Sequence, residues 1–265
     1  MKQKIYLICL FVIMQSTFFG VSAKDVYGFL TGSSSGSGLG TGLYKFDTED
    51  QDKLSIVSSQ FFSFWGGAYA DGKYYCILSQ DPSGLMFIGL SVIDLDTGIL
   101  SQPSTEYNDF GCTDLTYDYS TSTMYGVMIS IGGSPTEPTL IKINLETGTK
   151  ENVAVLSDRI TALACTYAGE MYGIGSQSDL YKINKIDGTL SLIGNTGIST
   201  KSQQIQSLEF DHTDGQLYWS GLDNNQTSFL IKLNARTAEV ESRRTMYRNA
   251  LFGGLYIPFK LAEDG

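Results

Sequence analysis

Apolar and polar positions alternate along residues 160–166, and the segment is rich in β-formers. Ala168-Gly169-Glu170 then makes a tight turn, and Met171-Tyr172-Gly173-Ile174 is a second strand-like run. Residues 176–178 cross to Leu180-Tyr181-Lys182-Ile183-Asn184, a turn at 185–188 ends in Gly188, and residues 189–193 alternate once more. This pattern predicts a four-stranded antiparallel meander with Gly/Asp turns at hairpin spacing. The same pattern returns along the chain. Tyr69, Tyr117, Cys165, Phe210 and Tyr256 hold one place in it, separated by 48, 48, 45 and 46 residues. Asp47, Asp94, Asn144, Asn184 and Asn234 hold another, each closing a Leu-x-x-apolar segment. A strand-rich repeat of this length, cut by Gly turns, predicts an all-β, five-bladed β-propeller with four antiparallel strands per blade.

The chain's two ends complete the pattern. Val26-Tyr27-Gly28-Phe29 matches the second strand of a blade whose first strand is missing. Phe252-Gly253-Gly254-Leu255-Tyr256-Ile257 parallels Trp65-Gly66-Gly67-Ala68-Tyr69-Ala70, the first strand of the next blade. The C-terminal strand is therefore expected to complete the first blade, closing the ring and removing its free sheet edges.

Residues 1–23 read as a signal peptide. Lys2 and Lys4 precede an apolar run at 5–14, and Val21-Ser22-Ala23 supplies small residues for cleavage before Lys24. The run is too short for an ordinary membrane span. Expected domains are the signal at 1–23, one propeller at 24–259, and a polar tail or linker start at 260–265 that would lead to a further domain in a longer parent. A secreted, periplasmic or cell-surface location follows, with no membrane insertion of the mature chain and a monomeric domain.

The charge narrows the partners. The whole chain carries −10; without Lys2 and Lys4 it has 16 basic against 28 acidic residues, or −12. Nucleic acid needs clustered Lys/Arg, and no basic run exists. Such acidity serves solubility; no cofactor is predicted, and calcium is the one ion it would admit. Cys76, Cys112 and Cys165 remain after cleavage, an odd number in β-rich segments, and read as small buried hydrophobes. One histidine, His212 in a turn, supports neither a Ser-His-acid triad nor a histidine metal centre. The Gly/Ser-rich stretch 32–40 runs from strand to strand rather than into a helix, so it is a crossing loop, not a phosphate cradle.

Leu180-Tyr181-Lys182-Ile183-Asn184 with Gly188-Thr189-Leu190 and Leu192-Ile193-Gly194 resembles the blade repeat of YVTN-type and quinoprotein-like propellers. Leu217-Tyr218-Trp219-Ser220 is similar to the YWTD repeat, in one blade. Signal, propeller and linker-like tail together resemble exported surface proteins of Bacteroidetes-type bacteria. These resemblances imply the fold and not an activity.

Within a blade, the turns joining first to second and third to fourth strands are short and uniform. Connections at 31–42, 79–89, 130–138, 175–179 and 221–228, with the blade-to-blade loops, lie on the opposite face and vary between copies. Loop variation marks the binding side of repeat proteins. Trp65, Asn108, Asp109, Phe110, Asp158, Arg159, Gln204, Arg248 and Asn249 are therefore the expected ligand-binding residues, for a protein or glycan partner. The rival reading is a carbohydrate-active hydrolase or lyase. It would place Asp109, Asp114, Asp158 and Glu209 at the channel mouth, where two carboxylates must face each other across a sugar. A structural spacer is the third.

Overall fold

The computed structural model describes residues 24–33, 35–50, 52–79, 87–103, 110–129, 137–200 and 205–260. The signal-like segment and the tail beyond 260 lie outside them. Each repeat folds as one four-stranded antiparallel sheet, and there are five sheets. Blade 1 holds β1 (Asp25–Gly32), β2 (Gly42–Asp47) and β3 (Ser55–Ser59), with β20 (Leu251–Tyr256) as its innermost strand. Blade 2 is β4 (Ser63–Ala70), β5 (Lys73–Ser79), β6 (Phe87–Ile93) and β7 (Leu100–Ser101). Blade 3 is β8 (Gly111–Asp118), β9 (Thr123–Ile129), β10 (Thr139–Ile143) and β11 (Lys150–Val155). Blade 4 is β12 (Ala162–Cys165), β13 (Met171–Ile174), β14 (Asp179–Ile183) and β15 (Leu190–Asn195). Blade 5 is β16 (Ser207–Asp211), β17 (Gln216–Leu222), β18 (Ser228–Leu233) and β19 (Val240–Thr245).

The recurring Asp/Asn is explained by the turn it begins. In all five blades its Oδ1 accepts a backbone N–H two residues on, from Glu49, Asp96, Glu146, Ile186 and Arg236 at 2.6–3.0 Å. The side chain thus fixes the bend after the third strand. Gly98, Gly148 and Gly188 close that bend at φ 69–73°, a conformation glycine enters without steric cost, whereas blade 5 holds Ala238 there at 64°.

Both sheet faces of a blade meet a neighbour, so the core is divided into five apolar clusters, one at each blade-to-blade interface. The three cysteines are buried, free members of these clusters. Burial raises every one of their thiol pKa values, Cys165 to about 12, which keeps them protonated and poorly nucleophilic. Ion pairs staple blades from outside the core: Lys185 to Asp118 joins blades 4 and 3, and Lys24 to Asp211 joins blades 1 and 5.

Ring closure follows the expected strand. Tyr27 pairs with Tyr256, Phe29 with Gly253, and Leu30 with Phe252. The join is buttressed by blade 2, where the fully buried Tyr74 donates its hydroxyl to the Gly254 carbonyl at 2.6 Å. A Cβ on Gly254 would lie 2.4 Å from that hydroxyl, and one on Gly67 would lie 2.8 Å from it, so the contact requires glycine at both places.

Candidate functional site

The innermost strands are sheet edges facing the channel, and their inward N–H groups need acceptors. Asp114 on β8 supplies two oxygens. Oδ1 accepts from Leu115 N at 3.0 Å and Ser207 Oγ at 3.3 Å. Oδ2 accepts from Leu163 N of blade 4 at 3.0 Å and from Leu208 N of blade 5 at 3.2 Å. A side chain of blade 3 reaches blades 4 and 5 together only from the axis of the ring. Ser207 Oγ in turn accepts from Leu255 N of blade 1, and Thr116 Oγ1 from Cys165 N. Burial pushes the Asp114 carboxyl well above its ordinary range, and these four hydrogen bonds pull it back.

Two positions after Ser207 on the same strand, nearer the short-turn mouth, stands Glu209. Its side chain is half-buried among the inner strands. No described residue hydrogen-bonds to it or forms an ion pair with it. Desolvation drives its pKa well up, and the negative Asp114 and Asp211 add to the rise. Tyr74, Tyr119, Tyr256 and Cys165 also lie within reach of its charge.

The sign of the linkage is fixed by that direction. A carboxyl whose folded pKa is raised is fully tolerated below the unfolded value of about 4.3 and costs stability as pH rises above it. Glu209→Gln is therefore expected to raise the melting temperature at pH 7 and to leave it unchanged at pH 4. Calorimetry at both pH values checks this; an equal effect at both would mean that the carboxylate is ionised at no cost.

Aromatic rings cluster at the short-turn mouth, three of them at equivalent turn positions. Tyr119, Tyr167 and His212 come from blades 3, 4 and 5. Phe259, just past β20, packs edge-on against all three at centroid distances of 5.4, 6.0 and 4.7 Å. Tyr69 stacks on Tyr256 at 3.8 Å. Burial lowers the His212 pKa to about 4, so the ring is neutral at pH 7.

Two adjoining cavities open on the same face between blades 2 and 3, with volumes of about 630 and 530 Å³. Both are lined by Asp71, Leu145 and Glu146. Tyr117 donates its hydroxyl to Asp71 Oδ2 at 2.9 Å. Asp71, Glu146 and Glu151 are matched by Lys73, Lys142 and Lys150, so acidic and basic side chains balance in the groove. It lies beside β7, which has two residues where the outer strands of the other blades have five or six.

The residues expected on the variable face fall into separate places. Asn108, Asp109 and Gln204 lie outside the described residues, as do most of the longest loops there. Trp65 is half-buried and packs with Phe110, itself 2 % exposed, in the core between blades 2 and 3. Asp158 organises its own corner: Oδ1 accepts from Arg159 N and Ser176 Oγ, both at 2.7 Å. Among the described residues the Arg159 guanidinium does not pair with it, and the buried Arg159 Nε finds no hydrogen-bond partner. Arg248 is exposed, lies over the Tyr247 ring, and donates to the Ser37 carbonyl. Asn249 accepts from Ser228 N at 2.6 Å and donates to the Gln226 carbonyl at 2.5 Å. Arg248 and Asn249 both have left-handed backbones, at φ 49° and 56°, and hold loops together.

The acids proposed for hydrolysis divide likewise. Asp114 has both oxygens committed to protein donors, Asp158 is tied into its corner, and Glu209 is half-buried with no hydrogen-bond or ion-pair partner among the described residues. Among the described residues no three His, Cys, Asp or Glu side chains converge to hold a metal ion. Sequence reading placed His212 in a turn of no chemical interest and missed the ring cluster. Aligning the residue two after each of Tyr69, Tyr117, Cys165, Phe210 and Tyr256 (Asp71, Tyr119, Tyr167, His212, Pro258) would have shown three of its four rings, though not Phe259.

No known family's sequence profile matches the chain, and no curated protein matches it. Solved structures do. TolB from Acinetobacter baumannii aligns at a TM-score of 0.54 and 11 % identity, over 88 % of this chain and 66 % of that one. A structural genomics protein of unknown function from Bacteroides thetaiotaomicron aligns at 0.49 and 17 %, over 83 % of this chain and 50 % of that one. The chain thus spans half to two thirds of these proteins, and the likeness is one of propeller fold.

Proposed function

We propose that this protein is an exported, non-enzymatic binding module that takes an uncharged, polyhydroxylated ligand, a glycan segment, in the groove between blades 2 and 3. The groove's size and position carry the reading: two contiguous cavities sharing Asp71 and Glu146, of the volume that small-ligand sites occupy. Its chemistry suits hydroxyl groups. Carboxylates accept and ammonium groups donate at the rim, while the balance of charge favours neither an anionic nor a cationic ligand. The Tyr117–Asp71 hydrogen bond fixes one acceptor in place before binding, which reduces the ordering cost. Export rests on the signal-like residues 1–23, and kinship with YVTN-type repeats rests on the blade residues quoted above.

Asp71→Asn and Glu146→Gln should each weaken binding about tenfold or more, with melting temperatures within a few degrees of the parent. Asn tolerates the left-handed backbone of position 71, at φ 46°. A glycan array followed by titration of the best neutral oligosaccharide is the test. Retention of no neutral glycan, or undiminished binding by both variants, would sink the groove. A second reading keeps the variable face as the site for a protein partner. It is supported by the buried, unpartnered Arg159 Nε, which a partner carbonyl or carboxylate would satisfy.

A further inference from the structure

The ring cluster at the short-turn mouth adjoins the groove. Asp71, which lines both cavities, holds the repeat position that Tyr119, Tyr167 and His212 hold in blades 3, 4 and 5. Tyr117 lines the groove, donates to Asp71 and packs edge-on against Tyr119 at 4.9 Å. Tyr119 donates its hydroxyl to the Tyr69 carbonyl at 3.2 Å, which ties it to blade 2. Tyr167 then stacks against Tyr119, with 5.4 Å between centroids and 20° between planes. A line of side chains, Asp71, Tyr117, Tyr119 and Tyr167, therefore leads from the groove to the channel mouth.

The far end of that line faces solvent. Tyr167 is 41 % exposed, and its hydroxyl bonds to no described residue. His212 and Phe259 meet it edge-on at 5.9 and 6.0 Å, so the ring is held in place before any ligand arrives, which lowers the ordering cost of binding. The turn itself does not demand an aromatic residue, because blades 2 and 1 place Asp71 and Pro258 there. A pyranose ring presents C–H groups on its face and hydroxyls around its rim. The C–H groups suit the negative face of an aromatic ring, and the hydroxyls suit a phenol and the carboxylates and ammonium groups of the groove.

We propose that Tyr167, held by Tyr119, His212 and Phe259, is a second sugar subsite, and that the ligand is an oligosaccharide running from the groove to the channel mouth. This rests on the reading of the groove as a glycan site and adds chain length to it.

The test is calorimetric titration with neutral gluco-, xylo- and manno-oligosaccharides from disaccharide to hexasaccharide. Affinity should rise with chain length in at least one series. Tyr167→Ala should remove that rise, a loss of about threefold to tenfold for the longest member, while the shortest member that binds keeps its affinity. Tyr167→Phe, which keeps the ring, should keep most of the rise. Tyr167→Leu replaces the alanine variant if that one unfolds. Affinity independent of length overturns the subsite and leaves the groove standing. So does a Tyr167→Ala variant that weakens short and long members alike, or neither. If no member binds the parent, the groove itself fails and the subsite with it.

Discussion

Asp114→Ala is expected to destabilise the protein by about 3 kcal/mol or more, the sum of three buried donors left without an acceptor. The substitution orphans the N–H groups of Leu115, Leu163 and Leu208 at the axis, where an unmet donor costs about 1–3 kcal/mol. For a chain of this length the fall corresponds to roughly 10 °C or more in melting temperature. Asp114→Asn separates the hydrogen-bond role from simple filling of space. Its amide matches the carboxylate in size but turns a donor toward groups that are themselves donors, so it too should lose most of that stability. Calorimetry of both variants decides the matter. An asparagine variant as stable as the parent would show that Asp114 merely occupies the channel.

The second large effect concerns ring closure. A chain ending at Ala250 lacks β20 and with it the buried Leu251, Phe252, Leu255, Tyr256 and Ile257. At about 1.5–3 kcal/mol for each buried side chain, the loss equals or exceeds the roughly 5–15 kcal/mol that holds an ordinary domain together. The truncated chain should therefore show no cooperative unfolding transition. A synthetic peptide of residues 250–260, added in excess, should restore it by pairing with β1. If the truncated protein melts cooperatively on its own, blade 1 is stable without its inner strand and the closure argument fails.

Much of this architecture was legible in the residues. The Asp/Asn series was visible because a turn that needs a side-chain acceptor two residues ahead of an N–H admits few alternatives. The missing first strand at Val26 and the surplus one at Phe252 pointed to each other for the same reason. The site was harder to read. Repeat logic directs attention to loops that vary, yet Trp65 and Phe110 fill an interface, and Arg248 and Asn249 tether loops. The groove lies beside a feature no motif records, the two-residue length of β7. Glu209 looked like one acid among several. Its isolation depends on which strands bring partners to the axis, and strand spacing alone does not carry that information. Asp114 was noticed as an acid, but its contact with Leu208, two blades away, exists only once the ring is formed.

The pairing of Tyr27 with Tyr256 has a consequence for the timing of folding. The earliest strand to be synthesised waits for the latest, and such distant contacts form slowly because the intervening chain must be gathered first. Until then blade 1 offers a bare edge and the polypeptide remains pliable. Any partner that covers the β1 edge before β20 arrives would therefore hold the ring unlocked.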